Sequence, residues 1–114
     1  MSNPLTTHVL DTAAGTPARG LPISLEKRID GAFVPVGSGR TNDDGRLDEP
    51  LLSTAQWGTG QYRIRFDTGT YFAHSNTEAF YPYVEVVFDV RHPEEHHHVP
   101  LLLSPFGYST YRGS

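Results

Sequence analysis

The alternation of apolar and polar positions along the chain predicts a succession of short strands. Thr6-Thr7-His8-Val9-Leu10-Asp11 forms a β-rich run, stopped by Ala13-Ala14-Gly15-Thr16-Pro17. Leu21, Ile23 and Leu25 recur at period two, which turns them to one side of a second strand. That strand runs to Asp30-Gly31, and with Phe33-Val34-Pro35-Val36 beyond it the pair reads as a hairpin. Proline cannot donate to a ladder, so Pro35 assigns the second hairpin strand to an edge or to a bulge. Between Gly37 and Gly45 the strongest turn is Asn42-Asp43-Asp44-Gly45, which delivers Arg46 immediately after it. Residues 51–57 read as a short strand plus a connection. Tyr62-Arg63-Ile64-Arg65-Phe66-Asp67 alternates without a miss and is the clearest strand of all.

Thr70 then offers a helix N-cap before Tyr71-Phe72-Ala73-His74, and Ser75-Asn76 breaks the pattern after about two turns. Residues 83–90 form another strand, with Val84, Val86, Phe88 and Val90 on one face and Glu85, Val87 and Asp89 on the other. In the last stretch Val99, Leu101 and Leu103 point to a core, while His96, His98, Pro100 and Leu102 take the opposite face. Past Ser104-Pro105-Phe106-Gly107 a polar-aromatic strand continues to the end, and a strand pattern there predicts that this end is used, since idle termini fray. The expected fold is all-β: one domain over residues 1–114, an antiparallel β-sandwich of seven to eight strands with one short helix.

Composition narrows the function classes. A net charge of −4 with nine scattered basic residues argues against nucleic acid, whose binders carry a clustered basic face. No apolar run approaches the ~20 residues of a membrane span. Met1-Ser2-Asn3-Pro4-Leu5 shows no signal-peptide pattern and the last residues are not a peroxisomal tripeptide, so the expected location is cytoplasmic. The chain has no cysteine, which removes disulfide and thiol chemistry.

Few side chains could perform a reaction: His8 in the first strand, Arg46 after the turn, His96 and His98 on one strand face, and Arg112 and Ser114 near the end. Histidine suits proton transfer near neutrality, and a neighbouring guanidinium can hold an oxyanion through its fixed fork of donors. Two histidines and an arginine without a suitable nucleophile point to activated water, provided the three meet in space. Set against this, His8 alone is an ordinary hydrogen-bonded surface histidine. His96 and His98 would need His8 or an acid to complete a zinc site, so no metal is expected. Asn42-Asp43-Asp44-Gly45 lacks the spacing and closing glutamate of a calcium loop. Tyr62, Phe66, Val86 and Phe88 read as core, Arg63 and Arg65 as a solvated face, His92 and His97 as exposed, and His74 as a helix-face residue.

Four separated motifs together resemble the transthyretin-related 5-hydroxyisourate hydrolases. They are Leu5-Thr6-Thr7-His8-Val9-Leu10-Asp11-Thr12 with the following Gly15-x-Pro17; Thr41-Asn42-x-Asp44-Gly45-Arg46; Tyr81-Pro82-Tyr83-Val84-Glu85-Val86-Val87-Phe88; and His96-x-His98-Val99-Pro100-Leu101-Leu102-Leu103-Ser104, closing on Tyr111-Arg112-Gly113-Ser114. Two departures are visible: His97 stands where tyrosine is common, and Phe106 where another aromatic is usual. The resemblance implies a transthyretin-like homotetramer with active sites at the dimer–dimer interface. It implies cofactor-free hydrolysis of 5-hydroxyisourate to 2-oxo-4-hydroxy-4-carboxy-5-ureidoimidazoline. The catalytic set it implies is His8, Arg46, His98 and Ser114, with Tyr111 and Arg112 as substrate-binding candidates. Either His8 or His98 could be the base. The rival reading is a transthyretin-type carrier of small molecules without activity.

Overall fold

Two four-stranded sheets enclose a single apolar layer. The computed structural model describes residues 3–113. Among them the order of elements is β1 (Leu5–Asp11), β2 (Thr16–Pro17), β3 (Pro22–Ile29), β4 (Ala32–Arg40), β5 (Gly60–Phe66), α1 (Thr68–Ala73), β6 (Val84–Val90), β7 (His97–Ser104) and β8 (Gly107–Thr110). One sheet runs β2-β1-β7-β8 and the other β4-β3-β5-β6. Leu5 and Val9 of β1, Leu21, Ile23 and Leu25 of β3 and its approach, Tyr62, Ile64 and Phe66 of β5, and Val99, Leu101 and Leu103 of β7 are all buried between them. Apolar side chains at alternate positions are what make each strand one-sided, and stacking the two apolar faces removes them from water.

The β3–β4 hairpin turns at Asp30 and Gly31, whose φ angles of 52° and 83° are those of a type I′ turn. Leu25 pairs with Gly37 and Glu26 with Pro35, so Val36 is the extra residue of a bulge, and β4 is also an edge. Pro35 thus occupies both of the places a proline tolerates.

Several elements differ from the expectation. The sandwich is not wholly antiparallel: β1 and β7 run parallel, Leu5 opposite His97 through Asp11 opposite Leu103. Parallel neighbours need a long crossover, and here the crossover contains the whole second sheet. Alternation within a strand carries no information about its neighbour's direction. Residues 51–57 form bends and turns with no strand, although Leu51 and Leu52 are buried. Thr70 lies inside α1; Asp67 holds the N-cap position without a side-chain cap, and its N–H bonds the Pro22 carbonyl, so β5 passes directly into the helix. His97 is buried, packed edge-on against Trp57, with Nδ1 donating to the Glu95 carbonyl at 2.9 Å. The alternation of Val99, Leu101 and Leu103, carried one step back, puts it there. Finally, β8 stops at Thr110, and the chain rejoins β7 through a bridge from Gly113 to His98.

Candidate active site

On the outer face of β1, Thr6 and His8 alternate with the buried Thr7 and Val9. The parallel register sets Thr6 opposite His98 and His8 opposite Pro100, so three polar side chains from distant parts of the sequence share one sheet face. The Thr6 hydroxyl lies 2.8 Å from His98 Nδ1 and 2.9 Å from His96 Nε2. The His96 and His98 rings lie nearly parallel, their centroids 6.5 Å apart.

The turn after β4 brings the arginine. Asn42 Oδ1 accepts the N–H groups of Asp44 and Arg46, at 2.8 and 3.1 Å, and the Asn42 N–H bonds the Arg46 carbonyl at 2.7 Å. Such side-chain-to-backbone bonds are why asparagine opens a tight turn. Gly45 then docks the turn on β1, its carbonyl accepting the Val9 N–H at 2.9 Å. Its φ is +76°, and a Cβ there would stand 2.3 Å from the Val9 carbonyl oxygen, so only glycine fits. As a result the Asp44 carbonyl accepts a 2.8 Å bond from His8 Nε2. A carbonyl only accepts, so Nε2 carries the hydrogen and Nδ1 is the basic nitrogen of neutral His8.

His98 is half-buried, and its pKa is held below the ordinary imidazole value of about 6.5. Burial is the larger cause; the charges of Arg46, His96 and His8 depress it further, against a smaller opposing hydrogen bond that the ring donates to the Thr6 backbone. Those three residues therefore lie within electrostatic reach of the His98 ring. Gly113 closes the other side: its N–H bonds the His98 carbonyl at 2.8 Å, and a Cβ on it would come within 2.5 Å of His98 Cδ2.

The structure thus brings His8, Arg46 and His98 together. It adds Thr6, whose residue type gives no signal of its own although it sits two positions from His8 on the same face. Tyr111 and Arg112 are elsewhere in the single chain. They line a cleft of about 470 Å³ between β6 and the β7–β8 edge, with Phe88 and His97. Arg112 does touch the back of the site, its Nη2 bonding the Glu95 carboxylate at 3.2 Å and the His96 carbonyl at 3.3 Å. Ser114 lies outside the described residues. Beside Arg46, Thr6, Asn3 and Leu47 line a recess of only about 80 Å³. Small-molecule sites usually enclose roughly 300–1,000 Å³. Beside Arg46 the chain therefore offers a shallow recess and not an enclosing pocket.

The HIUase/Transthyretin family model matches residues 5–113. The chain belongs to that family. It is 48% identical to a 5-hydroxyisourate hydrolase of Mus musculus over 99% of this chain and 97% of that protein. Among solved structures it resembles the sea bream transthyretin crystallised with thyroxine, at TM-score 0.90 and 35% identity over 96% of this chain and 94% of that one. It also resembles the Klebsiella pneumoniae 5-hydroxyisourate hydrolase, at TM-score 0.81 and 35% identity over 96% and 98%. Backbone likeness does not separate a thyroxine-bound relative from a hydrolase within the family; the side chains on the β1–β7 face have to do so.

Proposed function

We propose that this chain is a 5-hydroxyisourate hydrolase that opens its substrate to 2-oxo-4-hydroxy-4-carboxy-5-ureidoimidazoline with no cofactor. The observation that carries the reading is a half-buried imidazole, His98, which shares a sheet face with His8 and whose pKa is lowered by burial and then by the Arg46 charge. A neutral imidazole can take a proton from water near pH 7. His98 removes that proton as water attacks the C6 carbonyl of the purine-derived ring. Arg46 holds the oxyanion that forms. His8, anchored at Nε2 to the turn that carries Arg46, presents Nδ1 to the substrate. Ser114 fixes the substrate or an imidazole, and Tyr111 and Arg112 bind substrate from a neighbouring chain.

The last assignment rests on a homotetramer with sites at the dimer–dimer interface. The shallow recess beside Arg46 supports it, because a second sheet face would supply the missing wall. The exposed aromatics Phe80, Phe106 and Tyr111 and the open edges of β6 and β8 support it too. An inert carrier of small molecules is the competing reading, favoured by the likeness to the thyroxine-bound relative. A carrier channel has no use for a guanidinium clustered with three imidazoles, and these favour the enzyme.

The test is ultraviolet spectroscopy of 5-hydroxyisourate generated from urate by urate oxidase. Added protein should accelerate its decay, and His98→Asn should lower turnover ~100-fold or more. Decay at the spontaneous rate in the presence of the unaltered protein favours the carrier.

A further inference from the structure

With neutral imidazoles, the hydrogen bonds around Thr6 can be read in one direction only. His96 Nδ1 lies 2.9 Å from the Asn3 carbonyl oxygen, which accepts and never donates, so Nδ1 carries a hydrogen. In neutral His96 the other nitrogen, Nε2, is then bare and can only accept. Its partner at 2.9 Å is the Thr6 hydroxyl, whose single hydrogen is thereby committed to His96. What Thr6 Oγ1 offers to His98 Nδ1, 2.8 Å away, is a lone pair. That contact is a hydrogen bond only if His98 donates from Nδ1. Nε2 of His98 is left with its lone pair, and it has no partner among the described residues.

We propose that Thr6 and His96 are positioning residues that hold His98 in its Nδ1–H tautomer and so make Nε2 the nitrogen that accepts the proton from water. The opposite polarity, with Thr6 donating to His98, requires His96 to donate from both nitrogens and hence to be an imidazolium. Its ring lies 6.5 Å from that of His98, and Arg112 bonds both the His96 backbone carbonyl and the Glu95 carboxylate. Groups facing His98 from the other elements are His8 on β1 and Arg46 on the turn, both basic. A flip of the His98 ring would present Cδ2 to Thr6 and forfeit the 2.8 Å bond. The arrangement also suits turnover: once Nε2 takes its proton, the imidazolium still donates Nδ1–H to the same oxygen, and no partner has to rotate. The whole constellation is one hydroxyl placed between two rings by the β1–β7 register.

The role in turnover rests on the hydrolase reading, whereas the tautomer can be measured without it. Proton–nitrogen correlation spectra of ¹⁵N-histidine-labelled protein, at a pH where the imidazoles are neutral, report which ring nitrogen of His98 bears the hydrogen. The spectra should show Nδ1 protonated and Nε2 bare in the unaltered protein. Thr6→Val removes the hydroxyl at nearly constant shape; it should mix in the Nε2–H form and lower kcat ~10-fold or more with KM within about twofold. Thr6→Ser should restore both, and His96→Leu should resemble Thr6→Val. An Nε2–H tautomer in the unaltered protein overturns the proposal, as does a folded Thr6→Val protein that keeps the tautomer and kcat. Nδ1–H in a protein that leaves 5-hydroxyisourate to its spontaneous decay upholds the tautomer and removes the substrate assignment instead.

Discussion

Replacing Gly45 by alanine tests the link between the turn and the site. Two costs can be worked from the structure. The residue sits at φ +76°, where an L side chain costs about 1–2 kcal/mol. The added Cβ would also stand 2.3 Å from the Val9 carbonyl oxygen and 3.2 Å from Pro17 Cβ, where ordinary contacts begin near 3.4 Å. Backbone on both sides must part by about 1 Å, which breaks the 2.9 Å bond from Val9 N–H to the Gly45 carbonyl and removes about 1 kcal/mol more. Gly45→Ala should therefore destabilise the protein by roughly 2–4 kcal/mol, or lower Tm by about 10 °C or more at fixed protein concentration. Asp44 and Arg46 flank Gly45, so the same displacement pulls the carbonyl from His8 Nε2 and the guanidinium from its place. A shift of about 1 Å in a positioned group can cost ~100-fold in rate. Urea unfolding and initial rates on freshly generated 5-hydroxyisourate measure the two effects on one sample. A variant with unaltered stability would refute the close-approach argument; one that is destabilised but fully active would refute the claim that this turn positions the chemistry.

The remaining predictions concern titration. His98 must be neutral to act, and its pKa is lowered, chiefly by burial and then by Arg46, so activity persists below the usual imidazole range. The acid limb of kcat/KM should fall at a pH under about 6.5, and a limb above 7 would assign it to another group. Tyr71 donates to Asp11 at 2.7 Å, and burial first, then that bond and the carboxylate charge, push its phenol up to about 12. An unfolded tyrosine ionises near 10, so this contact stabilises fully below about 10 and is lost as pH climbs toward 12. Tyr71→Phe should cost about 1–2 kcal/mol at neutral pH and flatten the alkaline fall of the urea midpoint; an unchanged alkaline slope would place its origin in another residue.

What the sequence could reveal was decided by the range of the forces involved. β5 was legible because Tyr62, Ile64 and Phe66 alternate with Arg63 and Arg65, and a period of two is a local property. The Asp30-Gly31 hairpin and the Asn42 turn were legible for the same reason, since each is closed by groups a few residues apart. The parallel direction of β1 against β7 was not, because strands so paired are held by partners about ninety positions away. Arg46 and His98 stood out by residue type and by a family resemblance, whereas Thr6 has an unremarkable side chain until the register puts it between two imidazoles. His97 was misplaced for a different reason: three consecutive histidines look solvated, yet the strand phase sends the middle one inward, against Trp57. Residues 51–57 held two leucines whose burial does not require a strand, because their loop lays the Leu51 backbone against Gly37 of β4 and buries them as well.

The pairing of β1 with β7 has a consequence for how the molecule comes into being. Thr6 and His98 are 92 positions apart, and loop closure over such a span is among the last and slowest events available to a small β-rich chain. The second sheet can organise from neighbouring hairpins while the first and seventh strands are still strangers. Competence for proton transfer should accordingly arrive only in the final phase of refolding, after most secondary structure has formed, so that turnover itself serves as a clock for completion of the native state.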